Sequence, residues 1–267
     1  MSAAEPAGAQ RPTSADRWPS ALYIVRHGES AGNVARVEAD AIGAHRIALT
    51  MRDVDVPLSL RGEEQARALG RWFAKGQADG RPEVMLSSPY LRARETARLF
   101  REAGGCPADE RICADERLRE KEFGVLDGLT TGGIAALEPD QAAFRRLLGK
   151  FYHRPPGGES WCDVIFRLRS LMDTVALHYP GRRVMIVAHQ VVVLCLRYVI
   201  ESLSEEEILA IDQAGDVANC SVTEYRYDPG HGRYGGLTLI RYNETAPVEE
   251  SPVEVTDAPD AMVAARG

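Results

Sequence analysis

From Arg183 to Ala188 the chain reads RVMIVA, apolar at nearly every position, and then breaks off at His189 and Gln190. A run that is apolar on successive residues buries both of its faces, as a strand does inside a parallel sheet covered by helices on either side. Two other short runs share the habit. Ala21 to Val25 leads into Arg26-His27-Gly28-Glu29-Ser30, and Val84 to Leu86 leads into Ser87-Ser88-Pro89. Helical spacing fills the intervals. Ser59 is placed to cap a helix running through Glu63, Ala66, Leu69 and Phe73. Ser88-Pro89 sets a capping hydroxyl before a proline at the first position of a helix carrying Leu91, Thr96, Leu99 and Phe100. A long helix is expected from about Ser160 to His178, ended by Pro180-Gly181, and another from about Val191 to Ser202. Ser221 to Tyr227 and Leu237 to Tyr242 read as closing strands. The alternation predicts an α/β fold, a three-layer sandwich with a mostly parallel central sheet flanked by helices.

Residues 1–19 and 245–267 mix Pro, Ala, Ser and acids with little to bury, and are expected to be flexible tails around one domain spanning 20–244. A chain of 267 residues buries roughly three-quarters of its unfolded surface and needs no covalent staple. Its five cysteines, Cys106, Cys113, Cys162, Cys195 and Cys220, are odd in number and form no C-x-x-C pair, which favours reduced thiols over a disulfide framework or a zinc site. The net charge of −7 argues against nucleic acid as a partner. No basic segment precedes an apolar one at the N-terminus, and the most apolar stretch, Val184 to Leu196, is interrupted by His189 and Gln190. A cytoplasmic protein with no membrane segment is therefore expected.

If the three strand ends are neighbours, two imidazoles (His27, His189), two guanidiniums (Arg26, Arg92) and helix N-terminal amides converge on one pocket. Guanidiniums bond phosphate oxygens in pairs and helix amides add further donors, so the pocket suits a phosphate group.

Arg26-His27-Gly28-Glu29-Ser30 with Asn33 resembles the signature of the histidine phosphatase superfamily, phosphoglycerate-mutase-like branch. Asp55-Val-Pro57-Leu58-Ser59-Leu-Arg-Gly62, Ser88-Pro-Tyr-Leu-Arg92-Ala93-Arg-Glu-Thr96-Ala97, Leu118-Arg-Glu120-Lys-Glu-Phe-Gly124, Gly158-Glu159-Ser160 and Ala188-His189 follow in the matching order. The resemblance implies a phosphoglycerate-mutase-like fold in which His27 is the nucleophile and carries the phosphoryl group. It further implies that Arg26 and Arg92 clamp the nonbridging oxygens, that His189 adds a hydrogen bond and that Asn33 supports that shell. Glu120 is the implied proton donor and then base, with Glu122 and Glu116 as competitors for the role. Ser30 and Gln190 are candidate substrate contacts, although Ser30 equally suits a helix cap and Asn33 a turn or cap. The scheme requires no metal and no cofactor. His45, His153, His178 and His231 lie outside any motif and read as surface or loop residues.

The shared core does not separate phosphatases from mutases. The 37 residues between Glu120 and Gly158 look shorter than the insertion of family mutases, yet they hold Arg145, Arg146, Lys150 and Arg154, either surface charge or a second anion site. Gln190 after His189, and the Pro-Gly-Gly-Glu-Ser run, resemble the fructose-2,6-bisphosphatase subgroup and lean towards hydrolysis of a small phosphorylated metabolite. A phosphoglycerate-type mutase is the alternative enzyme, and a non-catalytic phospho-ligand module the alternative of another class. Dimers occur in the family, and the sequence marks no interface. The 23 residues between Asn33 and Pro57 are either a substrate lid or a surface loop.

Overall fold

The computed structural model describes residues 17–76, 80–231 and 235–259. Its six-stranded sheet has the order β3-β2-β4-β1-β5-β6, built from β1 (Ala21–Arg26), β2 (Val84–Ser87), β3 (Ile112–Ala114), β4 (Arg183–Ala188), β5 (Val222–Asp228) and β6 (Gly236–Glu244). The first four strands in that order run parallel, and β5 and β6 are antiparallel additions at one edge.

Successive side chains of the central strands alternate between two apolar layers, as the pleat requires. Leu22, Ile24, Val184 and Ile186 face one layer, which includes Leu168 and Leu171 of α6 (Trp161–His178) and Val192 and Leu196 of α7 (Gln190–Glu201). Tyr23, Val25, Met185 and Val187 face the other, which includes Leu69 and Phe73 of α2 (Leu60–Lys75) and Leu99 and Phe100 of α3 (Leu91–Glu102). Both faces are thus covered, which accounts for the unbroken apolar reading of β4.

Ser59 and Ser160 cap α2 and α6 through hydrogen bonds from Gly62 N and Asp163 N. The long segment after Asn33 opens as a helix, α1 (Ala31–Ala41), and then runs irregularly to a short 3-10 turn at Asp53–Asp55. After Glu120 the chain forms α4 (Thr131–Leu137) and α5 (Pro139–Tyr152), the latter broken at Gly149, where φ is 76°. A further helix, α8 (Glu205–Ala214), precedes β5.

Three expectations are corrected. Pro89 is not the first residue of α3: the helix starts at Leu91 behind Tyr90, and the Ser88 hydroxyl accepts from Tyr90 N instead. His153, read as a surface or loop residue, lies just past the end of α5 and is buried rather than at the surface. The chain from Thr245 does not behave as a loose tail as far as Pro259. It forms a helical turn, α9 (Ala246–Glu249), whose Val248 is fully buried, and Val253 and Val255 pack on the α2–α3 layer. The rest of the two expected tails, 1–16 and 260–267, lies outside the described residues. All five cysteines are free thiols, and among the described residues no helix is long and apolar enough to cross a membrane.

Candidate active site

Parallel pairing of β2 with β4 and of β4 with β1 sets their carboxyl ends side by side. Arg26 pairs with Ala188 and Ser87 with Val187, and the ladder continues one step beyond the strands through His27 N to Ala188 O and Ser88 N to Val187 O. The strand ends therefore place His27, Ser88 and His189 next to one another. The rings of His27 and His189 meet edge-on with centroids 5.1 Å apart. Arg26, His27, Arg92, Glu120 and His189 are all almost completely withdrawn from solvent.

The hydrogen bonds of His27 define its tautomer. Arg92 Nε lies 3.2 Å from His27 Nε2, and a guanidinium only donates, so Nε2 is the acceptor. The proton then sits on Nδ1, which donates to the Gly28 carbonyl at 2.6 Å. The lone pair of Nε2 is left directed towards the arginine.

The loop around His27 is fixed from several elements. Thr96 Oγ1 accepts from Gly28 N, and Gln65 Oε1 from Glu29 N. Asn219 Nδ2 donates to His27 O, and Ser59 and Arg61 both donate to the Glu29 carboxylate. The turn also passes very close to the start of α2: a Cβ on Gly28 would lie 2.5 Å from Gly62 O, so both glycines are required by the approach.

Arg92 extends its fork to Asp53, with Nη1 2.9 Å from Oδ1 and Nη2 3.2 Å from Oδ2, and Nη1 also donates to Asp53 O at 2.7 Å. Arg26 Nη1 donates to Val217 O at 2.5 Å and Nη2 to Ala258 O at 2.5 Å. His189 Nε2 is 2.8 Å from Ser88 Oγ, and the Tyr90 ring packs edge-on against His189. Burial, followed by the charges of Glu122 and Asp53, pushes the Tyr90 phenol far above its ordinary value, and its hydroxyl donates to Glu122.

Of the competing acids, Glu120 is buried, with Oε1 accepting from Lys121 N at 2.7 Å, whereas the Glu122 side chain is 47% exposed. Arg167 of α6 holds the loop by donating to the carbonyls of Arg117 and Glu120 and pairing with Glu159. Gly124 takes φ 55° where the loop packs on Pro156, a conformation that suits glycine.

Ser30 is the N-cap of α1, and Asn33 closes the capping box, its Oδ1 accepting from Ser30 N. Asn33 Nδ2 also donates to the carbonyls of Ala258 and Pro259. Gln190 Nε2 donates to Asp216 Oδ1 at 2.6 Å. Reading the sequence missed Asp53, Gln65, Tyr90, Val217 and Asn219 as parts of the site. Tyr90 lay inside the Arg92 motif, while the other four stand in no recognisable local pattern.

Residues 22–239 match the histidine phosphatase superfamily, branch 1. The chain belongs to that family. Among its relatives is a probable phosphoglycerate mutase GpmB of Serratia proteamaculans, 32% identical over 177 residues, or 66% of this chain and 72% of the relative. Among solved structures, this member of the superfamily resembles Bacillus stearothermophilus YhfR, with a TM-score of 0.66 and 25% identity, covering 85% of this chain and 98% of that one. It also resembles a mycobacterial glucosyl-3-phosphoglycerate phosphatase solved with inorganic phosphate, with a TM-score of 0.64 and 26% identity over 86% of this chain and 99% of the other. A probable mutase and a phosphatase thus both stand among the proteins that this member of the superfamily resembles.

Proposed function

We propose that this protein is a phosphatase that hydrolyses small phosphomonoesters through a phosphohistidine on His27. The observation that carries the reading is the lone pair of His27 Nε2 facing Arg92, with the His189 ring 5.1 Å from the His27 ring. In the first step Nε2 attacks phosphorus and the ester P–O bond breaks, while Glu120 gives its proton to the leaving alkoxide oxygen. Arg26, Arg92 and His189 hold the nonbridging oxygens as charge spreads over them. In the second step Glu120 takes a proton from water, the water oxygen attacks phosphorus and the P–N bond breaks. Inorganic phosphate leaves, and His27 and Glu120 return to their starting states.

Phosphoglycerate-type transfer is the second reading, supported by the GpmB relative. A mutase needs a second anion site, and two of the four basic residues after the acid loop are already engaged. Lys150 pairs with Asp212, and Arg154 with Asp163. That occupancy favours hydrolysis.

The test is phosphate release from p-nitrophenyl phosphate in excess EDTA, for the wild type and His27→Ala. Turnover that falls at least ~10⁴-fold in the variant is expected, since the nucleophile acts as a unit with its base and clamps. Turnover surviving in the variant would refute His27 as nucleophile. Interconversion of 2- and 3-phosphoglycerate faster than hydrolysis would replace this reading with the mutase.

A further inference from the structure

The segment from Glu250 to Pro259 leaves α9, lays Val253 and Val255 on the α2–α3 layer and then runs to Arg26 and Asn33. Gln65 Nε2 donates to Glu254 O and Thr256 Oγ1, both at 2.9 Å, and Asn219 N donates to Thr256 O at 2.7 Å. Gln65 and Asn219 are the same residues whose side chains fix the His27 loop. At its far end the segment presents its carbonyls to Arg26 and Asn33. Arg26 donates to Asp257 O at 3.4 Å and Ala258 O at 2.5 Å, and Asn33 donates to Ala258 O at 3.0 Å and Pro259 O at 2.8 Å.

We infer that this C-terminal segment is an intrachain ligand of the pocket, which competes with the phosphorylated substrate for Arg26 and Asn33. The inference rests on the proposed phosphatase site for what those donors bind. A lid closing over substrate would leave the donors aimed at the phosphoryl oxygens. Here backbone carbonyls take the same N–H groups, so the closed segment and a bound phosphate exclude one another. Tethering makes weak contacts sufficient, because the segment is held at high effective concentration beside the pocket. Its apolar anchor is small, two partly buried valines, so release by a competing dianion is within reach. The apparent affinity for substrate is lowered by the fraction of molecules that are open, and a closed-to-open ratio near ten raises KM about tenfold.

The experiment compares the full chain, a chain ending at Glu249 and the full-length double variant Val253→Asp/Val255→Asp. KM and kcat for p-nitrophenyl phosphate and the Kd for orthovanadate, by calorimetry, are measured for each. Shortening is expected to lower both KM and Kd about tenfold with kcat held within about twofold, and the double variant to move them the same way. A peptide of residues 250–259 added to the shortened chain is expected to inhibit competitively. Should the shortened chain fail to fold, the double variant carries the test alone. Unchanged vanadate affinity in the folded variants, or weaker affinity, would overturn the inference. Tighter vanadate binding without turnover in any chain would uphold the intrachain ligand while refuting the phosphatase.

Discussion

The pocket has a floor and a roof of different construction. The floor is the end of three adjacent strands, where ladder hydrogen bonds that simply continue the sheet set His27 and Ser88, and His189 follows directly after β4. The roof comes from segments far apart in the chain: Asp53, the loop at Val217 and Asn219, and the stretch to Pro259. It is held by side chains reaching backbone carbonyls rather than by regular structure. A floor of this kind fixes chemistry, because every position is over-determined by the sheet. A roof of this kind is free to open, because each contact is separately replaceable by water or ligand. Under the proposed function, catalysis belongs to the floor and access to the roof.

The largest effect that would break this division is at Arg92. Arg92→Ala is expected to lower kcat/KM for p-nitrophenyl phosphate by ~10³-fold or more, since it removes a preorganised donor from the developing charge. Arg92→Lys should recover little, because an ammonium lacks the planar fork. A loss of less than about tenfold would mean that the floor does not hold the phosphoryl group. Next in size is the acid. Glu120→Gln is expected to cost about 10²- to 10⁴-fold in kcat, and Glu122→Gln no more than about threefold. The reverse order would shift the proton donor from the buried side chain to the exposed one that Tyr90 contacts.

The floor was legible in the sequence and the roof was not, for a physical reason. The strands leading to His27, Ser88 and His189 bury both faces, so their apolar runs end sharply where the polar residues begin. Capping chemistry is equally local: Ser59 caps α2 as read, and Ser160 caps the helix that was expected to begin about there. Asp53, Gln65 and Asn219 act across long loops, and a contact made by a single side chain to a distant backbone leaves no periodicity. The three-residue β3 is too short for any pattern, and its Ile112 and Cys113 are only partly buried. The C-terminal segment carries Pro and acids like a disordered tail, and Val248, Val253 and Val255 alone hint at a packed face. Ser30 and Asn33 take the cap positions that the sequence allowed them, and the asparagine that closes the capping box also donates its amide to the carbonyls of Ala258 and Pro259.

Beside Glu120 the site carries a cost that can be measured as stability. Lys121 is 8% exposed, with its ammonium 4.1 Å from the centre of the Phe123 ring. Burial, reinforced by the charge of Arg145, pulls it from 10.5 down to about 8. The folded state therefore releases this proton near pH 8, whereas the unfolded state keeps it until about pH 10.5. Stability rises with pH between those values, and below the lower one the full cost of the buried charge is present, at most about 3 kcal/mol. Lys121→Met is expected to be more stable than the wild type at pH 7 by about 1–3 kcal/mol. The advantage should fade above pH 10.5. Thermal melts of both proteins across pH 7 to 10.5 check it, and a difference that does not change over that window would remove the buried charge as its cause.

The smallest effect sharpens the comparison most, because it touches floor and roof in one bond. Asp53 presents a carboxylate to both terminal nitrogens of Arg92, the two donors that a phosphoryl group would need. The pair is shielded, at 1% and 16% side-chain exposure, so water screens it little. An incoming dianion has to displace that carboxylate and meets its repulsion on approach. Asp53→Asn keeps the size of the side chain and the backbone carbonyl that also accepts from Arg92, and removes only the charge. KM for p-nitrophenyl phosphate should then fall about threefold with kcat unchanged, because a larger share of molecules presents an open fork. A fall in kcat instead would show that Asp53 aims Arg92 at the phosphoryl group during the reaction, and the boundary between chemistry and access would have to be redrawn to include the 3-10 turn at Asp53–Asp55.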